Sequence, residues 1–234
     1  MVVGIILLAL GAVSLAIFLF DKIRGYSIRE TIIKACTSLI FVALGIYSFI
    51  HAKMPPFGVF AIIGLVFGLF GDIFLDLKYV SKERSRFYTY AGFVSFGIGH
   101  IFYITGMMIY LNQGHEWYSF VIPFALGLVG GLLVILLEKT LKLQYGEYKF
   151  ICWLYGTLLF SMTATTGFLA ISHRLTIPAF NMLFIGGILF AVSDLILSGT
   201  YFGEGKERPI DLVTNGVTYY AAQFLIAFSL FFML

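Results

Sequence analysis

Charged residues are scarce in this sequence. Only 12% of its 234 residues are Asp, Glu, Lys or Arg, whereas 60% are hydrophobic, and the mean hydropathy is +0.98. A soluble globular domain carries roughly 25% charged residues, so the composition excludes that class of protein. The basic residues lie beside apolar runs and form no continuous patch, and we therefore expect no nucleic acid as a partner.

Cysteine and histidine are also rare. Cys36 and Cys152 both lie inside apolar segments, which indicates small core residues and not a disulfide framework. Of the four histidines, only His100 lies well inside an apolar segment, so a site with several histidine ligands is not expected. We predict neither a metal ion nor a cofactor.

Several catalytic motifs are missing. The sequence has no HExxH zinc motif, no GxSxG nucleophile elbow and no glycine-rich P-loop. Their absence argues against zinc peptidases, serine hydrolases of the nucleophile-elbow type and P-loop nucleotide hydrolases.

Long apolar runs dominate what is present. Runs of about 20 residues are long enough to cross a hydrocarbon core of roughly 30 Å as helices. They predict an all-α polytopic membrane protein, a bundle of eight transmembrane helices that forms one domain over residues 1–234. The predicted spans are about 2–21, 29–51, 57–77, 86–111, 119–138, 147–171, 177–199 and 210–233.

The basic residues predict an orientation. Twelve of the 15 Lys and Arg residues lie in or beside the loops after spans 1, 3, 5 and 7, and short basic loops remain in the cytoplasm. We therefore expect both termini outside the cytoplasm, in a membrane such as the bacterial inner membrane. Lys34 lies inside span 2 near its cytoplasmic end, where a lysine can also extend its ammonium group to water.

Two aspartates lie at matching depths. Asp72 in span 3 and Asp194 in span 7 each precede the cytoplasmic end of their span by roughly five residues, or about 8 Å along a helix. Ionisable residues inside a membrane are rare and mark functional sites, so we predict that both carboxylates face one cavity. Asp76 lies one turn nearer to water, and its position favours an interfacial residue.

The two aspartates also relate the two halves of the chain. An offset of 122 residues places Asp72 on Asp194 and Gly64 on Gly186. This correspondence suggests the hypothesis that spans 1–4 and 5–8 are parallel repeats.

Further polar residues lie in spans 4 and 8. A lone histidine in an apolar helix is most often a hydrogen-bonded core residue, and polar side chains can hold membrane helices together. The polar residues of these two spans nevertheless outnumber those that helix packing needs. We therefore predict a polar cavity in the cytoplasmic half that extends toward the midplane at His100 and Gln223. These residues are His100, Tyr103, Asn215, Tyr219, Tyr220 and Gln223.

Four stretches of the sequence resemble the YhhN family of integral membrane proteins, which includes the lysoplasmalogenases. They are GLVFGLFGD at 64–72, FVSFGIGHIFY at 93–103, ILFAVSD at 188–194 and TYYAAQFLIA at 218–227. The spacing from Tyr155 to Met162 and the position of Lys34 are also similar, although Ala35 follows Lys34 where many relatives have proline. The likeness covers nearly the whole chain and includes the layout of eight spans.

The resemblance implies hydrolysis of the vinyl ether bond of a lysoplasmalogen, which yields a fatty aldehyde and a glycerophospho head-group alcohol. The substrate would be a lysophospholipid taken from among the membrane lipids. The polar positions of the family fall here on Lys34, Asp72, His100, Tyr103, Asp194, Tyr219, Tyr220 and Gln223.

A pair of carboxylates suits this chemistry. Protonation of the vinyl ether creates an oxocarbenium ion, so the reaction needs a proton donor and a nearby anion, which two carboxyl groups in a low-dielectric cavity supply. One of Asp72 and Asp194 would be the general acid and the other would stabilise the cation, and the sequence leaves open which. His100, Tyr219 or Gln223 would position water or the departing oxygen, and Lys34 would bind the phosphate.

Other functions fit the same residues. Paired aspartates and repeated halves are also found in proton-coupled transporters. The aspartates could instead bind a metal in a hydrolase of another lysolipid, or the polar residues could serve only packing in a lipid-binding or scaffolding protein. The sequence predicts no oligomeric state.

Overall fold

Eight long helices make up the fold of the residues that the structure describes. The computed structural model of the protein describes residues 1–52, 54–111, 117–204 and 208–233, and these residues form helices and connecting turns with no named strand. The all-α prediction is confirmed, and no predicted span end differs from a helix end by more than four residues. The helices are α1 (Val2–Lys22), α2 (Ile28–His51), α3 (Pro56–Val80), α4 (Ser85–Leu111), α5 (Tyr118–Leu136), α6 (Lys149–Ser172), α7 (Pro178–Phe202) and α8 (Pro209–Ser229).

Local sequence signals start several of these helices. Pro56, Pro178 and Pro209 occupy the first position of α3, α7 and α8, where proline loses no helical hydrogen bond. Ser27 precedes α2, and its side chain accepts a hydrogen bond of 3.1 Å from the backbone N–H of Glu30, as a helix N-cap requires. These signals explain why the helix starts could be predicted closely.

Seven of the eight helices are long and apolar enough to cross a membrane, counted over the described residues. The protein is therefore an integral, multi-pass membrane protein. Helix α8 is not among the seven because polar residues interrupt its apolar face, including Asn215, Tyr219 and Gln223. That α8 also crosses the membrane stays a prediction, as does the orientation. Two basic residues counted for the orientation, Lys53 and Lys206, lie outside the described residues.

Six helices form a closed ring. Helix α2 packs against α3, α3 against α4, α4 against α6, α6 against α7, α7 against α8, and α8 against α2. Helix α1 packs against α2 and α8, and α5 packs against α6. The ring leaves an interior toward which side chains of several helices can converge.

The same neighbour relations recur in the two halves of the chain. If α1–α4 are matched in order with α5–α8, the pairs α1–α2, α2–α3, α3–α4 and α2–α8 correspond to α5–α6, α6–α7, α7–α8 and α6–α4. This recurrence agrees with the hypothesis of two parallel repeats. Under this hypothesis, α3, which carries Asp72, and α7, which carries Asp194, are equivalent helices.

The connection between α5 and α6 is tied to the end of α7. The backbone N–H of Gln144 donates a hydrogen bond of 2.8 Å to the carbonyl of Phe202, and Tyr145 is buried. Glu138 anchors the same connection, because its carboxylate accepts hydrogen bonds from the Lys149 ammonium at 2.6 Å and from the Tyr145 N–H at 3.0 Å. A carboxylate therefore holds this loop in place.

We expect the stability contributed by Glu138 to depend on pH. The hydrogen bond from Lys149, followed by that from the Tyr145 N–H, lowers the pKa of the Glu138 carboxyl below its ordinary value of 4.5. Its contribution is therefore complete above pH 4.5 and is lost as pH falls through the lower, folded-state value. Glu138→Gln should lower the thermal unfolding midpoint slightly at neutral pH, measured by circular dichroism in detergent, and the difference from wild type should vanish in acid.

The matched control for this measurement is Glu83→Gln, since Glu83 is exposed at the turn between α3 and α4. That variant should follow the wild type at every pH. A difference between Glu138→Gln and wild type that stays constant down to acid pH would contradict the assignment.

Candidate active site

One cavity reaches into the bundle, and residues of all eight helices line it. About 970 Å³ of space free of protein atoms lies within it, and this figure includes space that is open to the outside. Four of its lining residues are charged, namely Lys22, Lys34, Asp72 and Asp194. The apolar part of the wall comes mainly from α4, α6 and α7 and includes Phe93, Phe96, Leu159, Phe160 and Leu197.

Asp72 is buried and surrounded by donors. Its Oδ2 atom accepts hydrogen bonds from the Ser38 hydroxyl at 2.6 Å and from the Tyr219 hydroxyl at 2.7 Å. The Lys34 ammonium lies 3.6 Å from Oδ1. Two hydroxyl donors and a nearby cation favour the charged form of a carboxyl group, and these contacts oppose the cost of burying Asp72 as an anion.

A chain of hydrogen bonds supports Tyr219 from behind. The Tyr103 hydroxyl donates to Gln223 Oε1 at 3.4 Å, and Gln223 Nε2 donates to the Tyr219 hydroxyl at 3.0 Å. Every donor in this chain is directed toward Asp72, so the bonds polarise one another. Tyr103 and Gln223 thus act on the cavity through Tyr219.

Asp194 has a different environment. It is part-buried, and the hydroxyl of Tyr155 donates a short hydrogen bond to its Oδ2 atom. Because that hydroxyl has one proton, the bond of 3.3 Å between Tyr155 and His100 must be donated by Nε2 of His100. Among the described residues no lysine or arginine forms an ion pair with Asp194. This carboxyl group therefore lacks the cation that accompanies Asp72.

Lys34 and Asp76 form a buried ion pair. The Lys34 ammonium lies 2.7 Å from Asp76 Oδ1, and the two residues are only 7% and 1% exposed. The interpretation of Asp76 as an interfacial residue is wrong, because α2 and α3 enclose its side chain. Lys34 likewise does not extend to water, and Asp76 and Asp72 already compensate its positive charge within the protein.

A further carboxyl group joins this pair. Glu30 is 1% exposed, and its carboxyl group interacts electrostatically with that of Asp76. Its Oε1 atom is 4.0 Å from the Lys22 ammonium. Glu30 and Asp76 thus place two buried acidic side chains beside Lys22 and Lys34.

The hypothesis of two repeats allows a comparison between the two halves of the site. The offset of 122 residues places Gly156 at the position of Lys34 and Ser198 at the position of Asp76. Both Gly156 and Ser198 line the cavity. The space beside Asp194 is therefore open where a buried ion pair stands beside Asp72.

Two other predicted residues hold helices together. Asn215 Nδ2 donates to the backbone carbonyl and to the hydroxyl of Ser193, both at 2.9 Å, and so joins α8 to α7 next to Asp194. The Tyr220 hydroxyl lies 3.0 Å from Ser38 Oγ and 3.2 Å from the carbonyl of Lys34. Both residues line the cavity, but their polar atoms are engaged within the protein.

The structure brings the predicted residues together in two groups. Lys34, Asp72, Asp194, Asn215, Tyr219 and Tyr220 line the cavity, whereas His100, Tyr103 and Gln223 lie behind it. The predicted extension of the cavity to His100 and Gln223 is therefore wrong, since Tyr155 and Tyr219 stand in front of them.

Four polar residues were missed by the prediction, and they are Lys22, Glu30, Ser38 and Tyr155. A signal for Ser38 was available, because it follows Lys34 by one helical turn and so shares its face. For Tyr155 the only signal was its spacing to Met162. Its residue type gave no signal, since tyrosine is common where an apolar helix meets the membrane interface.

Comparison with known proteins identifies one family. The model of the YhhN family matches residues 30–230, which is most of the chain. Neither the curated proteins nor the solved structures gave a match. The matched range includes both cavity aspartates and excludes Lys22.

Proposed function

Because this chain belongs to the YhhN family, which includes lysoplasmalogenases, we propose that it is a membrane-embedded hydrolase that cleaves the vinyl ether bond of lysoplasmalogens. The observation that carries the proposal is the unequal pair of carboxyl groups in one cavity. Asp72 has two hydroxyl donors and a lysine beside it, whereas Asp194 has one phenol donor. Such a difference in environment is what separates a general acid from its anionic partner.

Asp194 is the general acid in this proposal. A part-buried carboxyl group with no ion-pair partner favours its neutral form. Its Oδ2 atom accepts the Tyr155 hydrogen bond, so the proton resides on Oδ1. This proton is transferred to the β-carbon of the vinyl ether, whose π electrons form the new C–H bond. The positive charge then lies on the carbon and oxygen of the former vinyl ether.

Asp72 is the anion that stabilises this charge. Both of its hydroxyl donors use Oδ2, which leaves Oδ1 for a water molecule. Water adds to the oxocarbenium carbon and gives a proton to Asp72, which forms a hemiacetal. Fixed donors and charges in a low-dielectric cavity lower the energy of such an ion without further reorganisation.

Collapse of the hemiacetal restores both carboxyl groups. The hemiacetal hydroxyl returns its proton to Asp194 as the carbonyl of the aldehyde forms. The bond to the glycerol oxygen breaks, and that oxygen takes the proton held by Asp72. The sum is one vinyl ether and one water converted to an aldehyde and an alcohol, with Asp194 neutral and Asp72 ionised again.

The proposal predicts which lysolipid the protein cleaves. When purified protein is incubated with 1-alkenyl, 1-acyl and 1-alkyl lysophospholipids of equal chain length, only the alkenyl lipid should release a fatty aldehyde, measured by mass spectrometry. In D₂O the aldehyde should carry one deuterium on its α-carbon, because protonation occurs there. In H₂¹⁸O the glycerophospho alcohol should remain unlabelled, because its oxygen comes from the substrate.

Two results would oppose the proposal. Release of fatty acid from the acyl lipid without aldehyde from the alkenyl lipid would indicate a hydrolase of another lysolipid. Labelled glycerophospho alcohol would show that water attacks the glycerol carbon, which the carboxyl pair does not explain.

A further inference from the structure

Lys22 is a buried cation that the proposed reaction does not use. It is the last residue of α1, it is only 8% exposed, and it lines the cavity together with Lys34 and Asp72. Its ammonium group has no hydrogen-bond partner among the described residues, and the Glu30 oxygen with which it pairs lies 4.0 Å away. A buried ammonium group with unused donors is costly unless a ligand satisfies it.

The surroundings of Lys22 hold the side chain without consuming its donors. The ammonium lies 5.0 Å from the centre of the Phe18 ring and 6.0 Å from that of Tyr26, and such contacts orient a cation over aromatic faces. Lys34 differs in this respect, since its ammonium already hydrogen-bonds Asp76 at 2.7 Å. Of the two lysines that line the cavity, Lys22 is the one whose ammonium group donates no hydrogen bond within the described residues.

We propose that Lys22 binds the phosphate of the lysophospholipid head group and thereby selects phosphorylated lysolipids over neutral ones. This inference rests on the proposed function for the identity of the ligand. The glycerol unit of a lysophospholipid separates its phosphate from its 1-position, so a phosphate at Lys22 leaves the reacting bond deeper in the cavity near Asp72. The chain then runs toward the apolar wall formed by Phe96, Leu159 and Phe160.

Binding of ligands that cannot react tests the inference. The probes are a 1-alkyl lysophosphatidylethanolamine and the 1-alkylglycerol of the same chain, titrated against the full-length protein in nanodiscs. Wild type should bind the phosphorylated lipid more tightly, and Lys22→Gln should lose that preference by about tenfold or more, while its affinity for the alkylglycerol is kept. Lys22→Arg should retain the preference because it keeps the charge.

Lys78→Gln is the matched control. Lys78 lies in the last turn of α3, and its ammonium group contacts the Tyr201 ring. Because Lys78 does not line the cavity, its loss should leave the preference unchanged. The inference is overturned if Lys22→Gln keeps the preference or if it weakens both lipids equally. If inorganic phosphate displaces the lipid as well as glycerophosphoethanolamine does, Lys22 binds free phosphate and the assignment to a lipid head group is overturned. Because the alkyl ether is not hydrolysed, failure of the alkenyl lipid to release aldehyde would refute the proposed reaction and leave this result standing.

Discussion

Asp194→Asn is expected to lower kcat for aldehyde release from a lysoplasmalogen by about 10²- to 10⁴-fold. The amide has the size of the carboxyl group and can still accept the Tyr155 hydrogen bond, but it cannot give a proton to carbon. Asp194→Glu keeps a carboxylic acid and should retain more activity than the amide. The measurement is the rate of aldehyde formation by purified protein, with the helix content followed by circular dichroism.

The control for this variant is Asp211→Asn, which removes a carboxylate that pairs with Arg208 at the start of α8, outside the cavity. It should leave the rate unchanged. Asp72→Asn should also lower kcat, by about 10²- to 10³-fold, because the anion that stabilises the oxocarbenium ion is lost. A folded Asp194→Asn protein with full activity would end the assignment of the general acid.

Lys34→Met is expected to be the most destabilising single substitution in the site. Its ammonium lies 2.7 Å from Asp76 and 3.6 Å from Asp72, so the change leaves buried carboxylates without their cation. Loss of one partner of a buried ion pair costs about 3–5 kcal/mol of unfolding free energy. The measurement is unfolding in detergent, and activity should fall together with stability because Asp72 loses its counter-ion.

A double-mutant cycle separates the ion pair from other effects of the lysine. Asp76→Leu in the Lys34→Met background should recover part of the lost stability, because no uncompensated charge then remains on Asp76. Lys82→Met, at an exposed position in the turn after α3, should be neutral. If Lys34→Met proved as stable as wild type, the ion pair would not be a determinant of the fold.

The helices could be predicted from the sequence because the signals are local. Runs of apolar residues set the number and length of the helices, and residues such as Pro56 and Pro178 mark their starts. Depth in the membrane follows from distance along a helix, and this relation was enough to bring Asp72 and Asp194 to the same cavity.

The rotation of each helix about its axis was not available from the sequence. Weak hydropathy contrast around α3 gave no reason to turn Asp76 inward, and its partner Lys34 is 42 residues earlier in the chain. Tyr155 and His100 illustrate the same limit, since their order between Asp194 and the bundle interior depends on how α4 and α6 pack. Contacts between helices therefore decide which polar residues reach the ligand and which support them.

The low hydropathy of α8 bears on how the protein is assembled in the membrane. Its polar side chains are satisfied by residues of α2, α3, α4 and α7, for example Tyr219 by Asp72 and Asn215 by Ser193, and all of these helices are synthesised before α8. Insertion of α8 on its own would leave those groups unpaired in lipid. We therefore expect α8 to enter the bilayer only against its preassembled neighbours, so that the cavity is completed in the same step as the membrane integration of the protein.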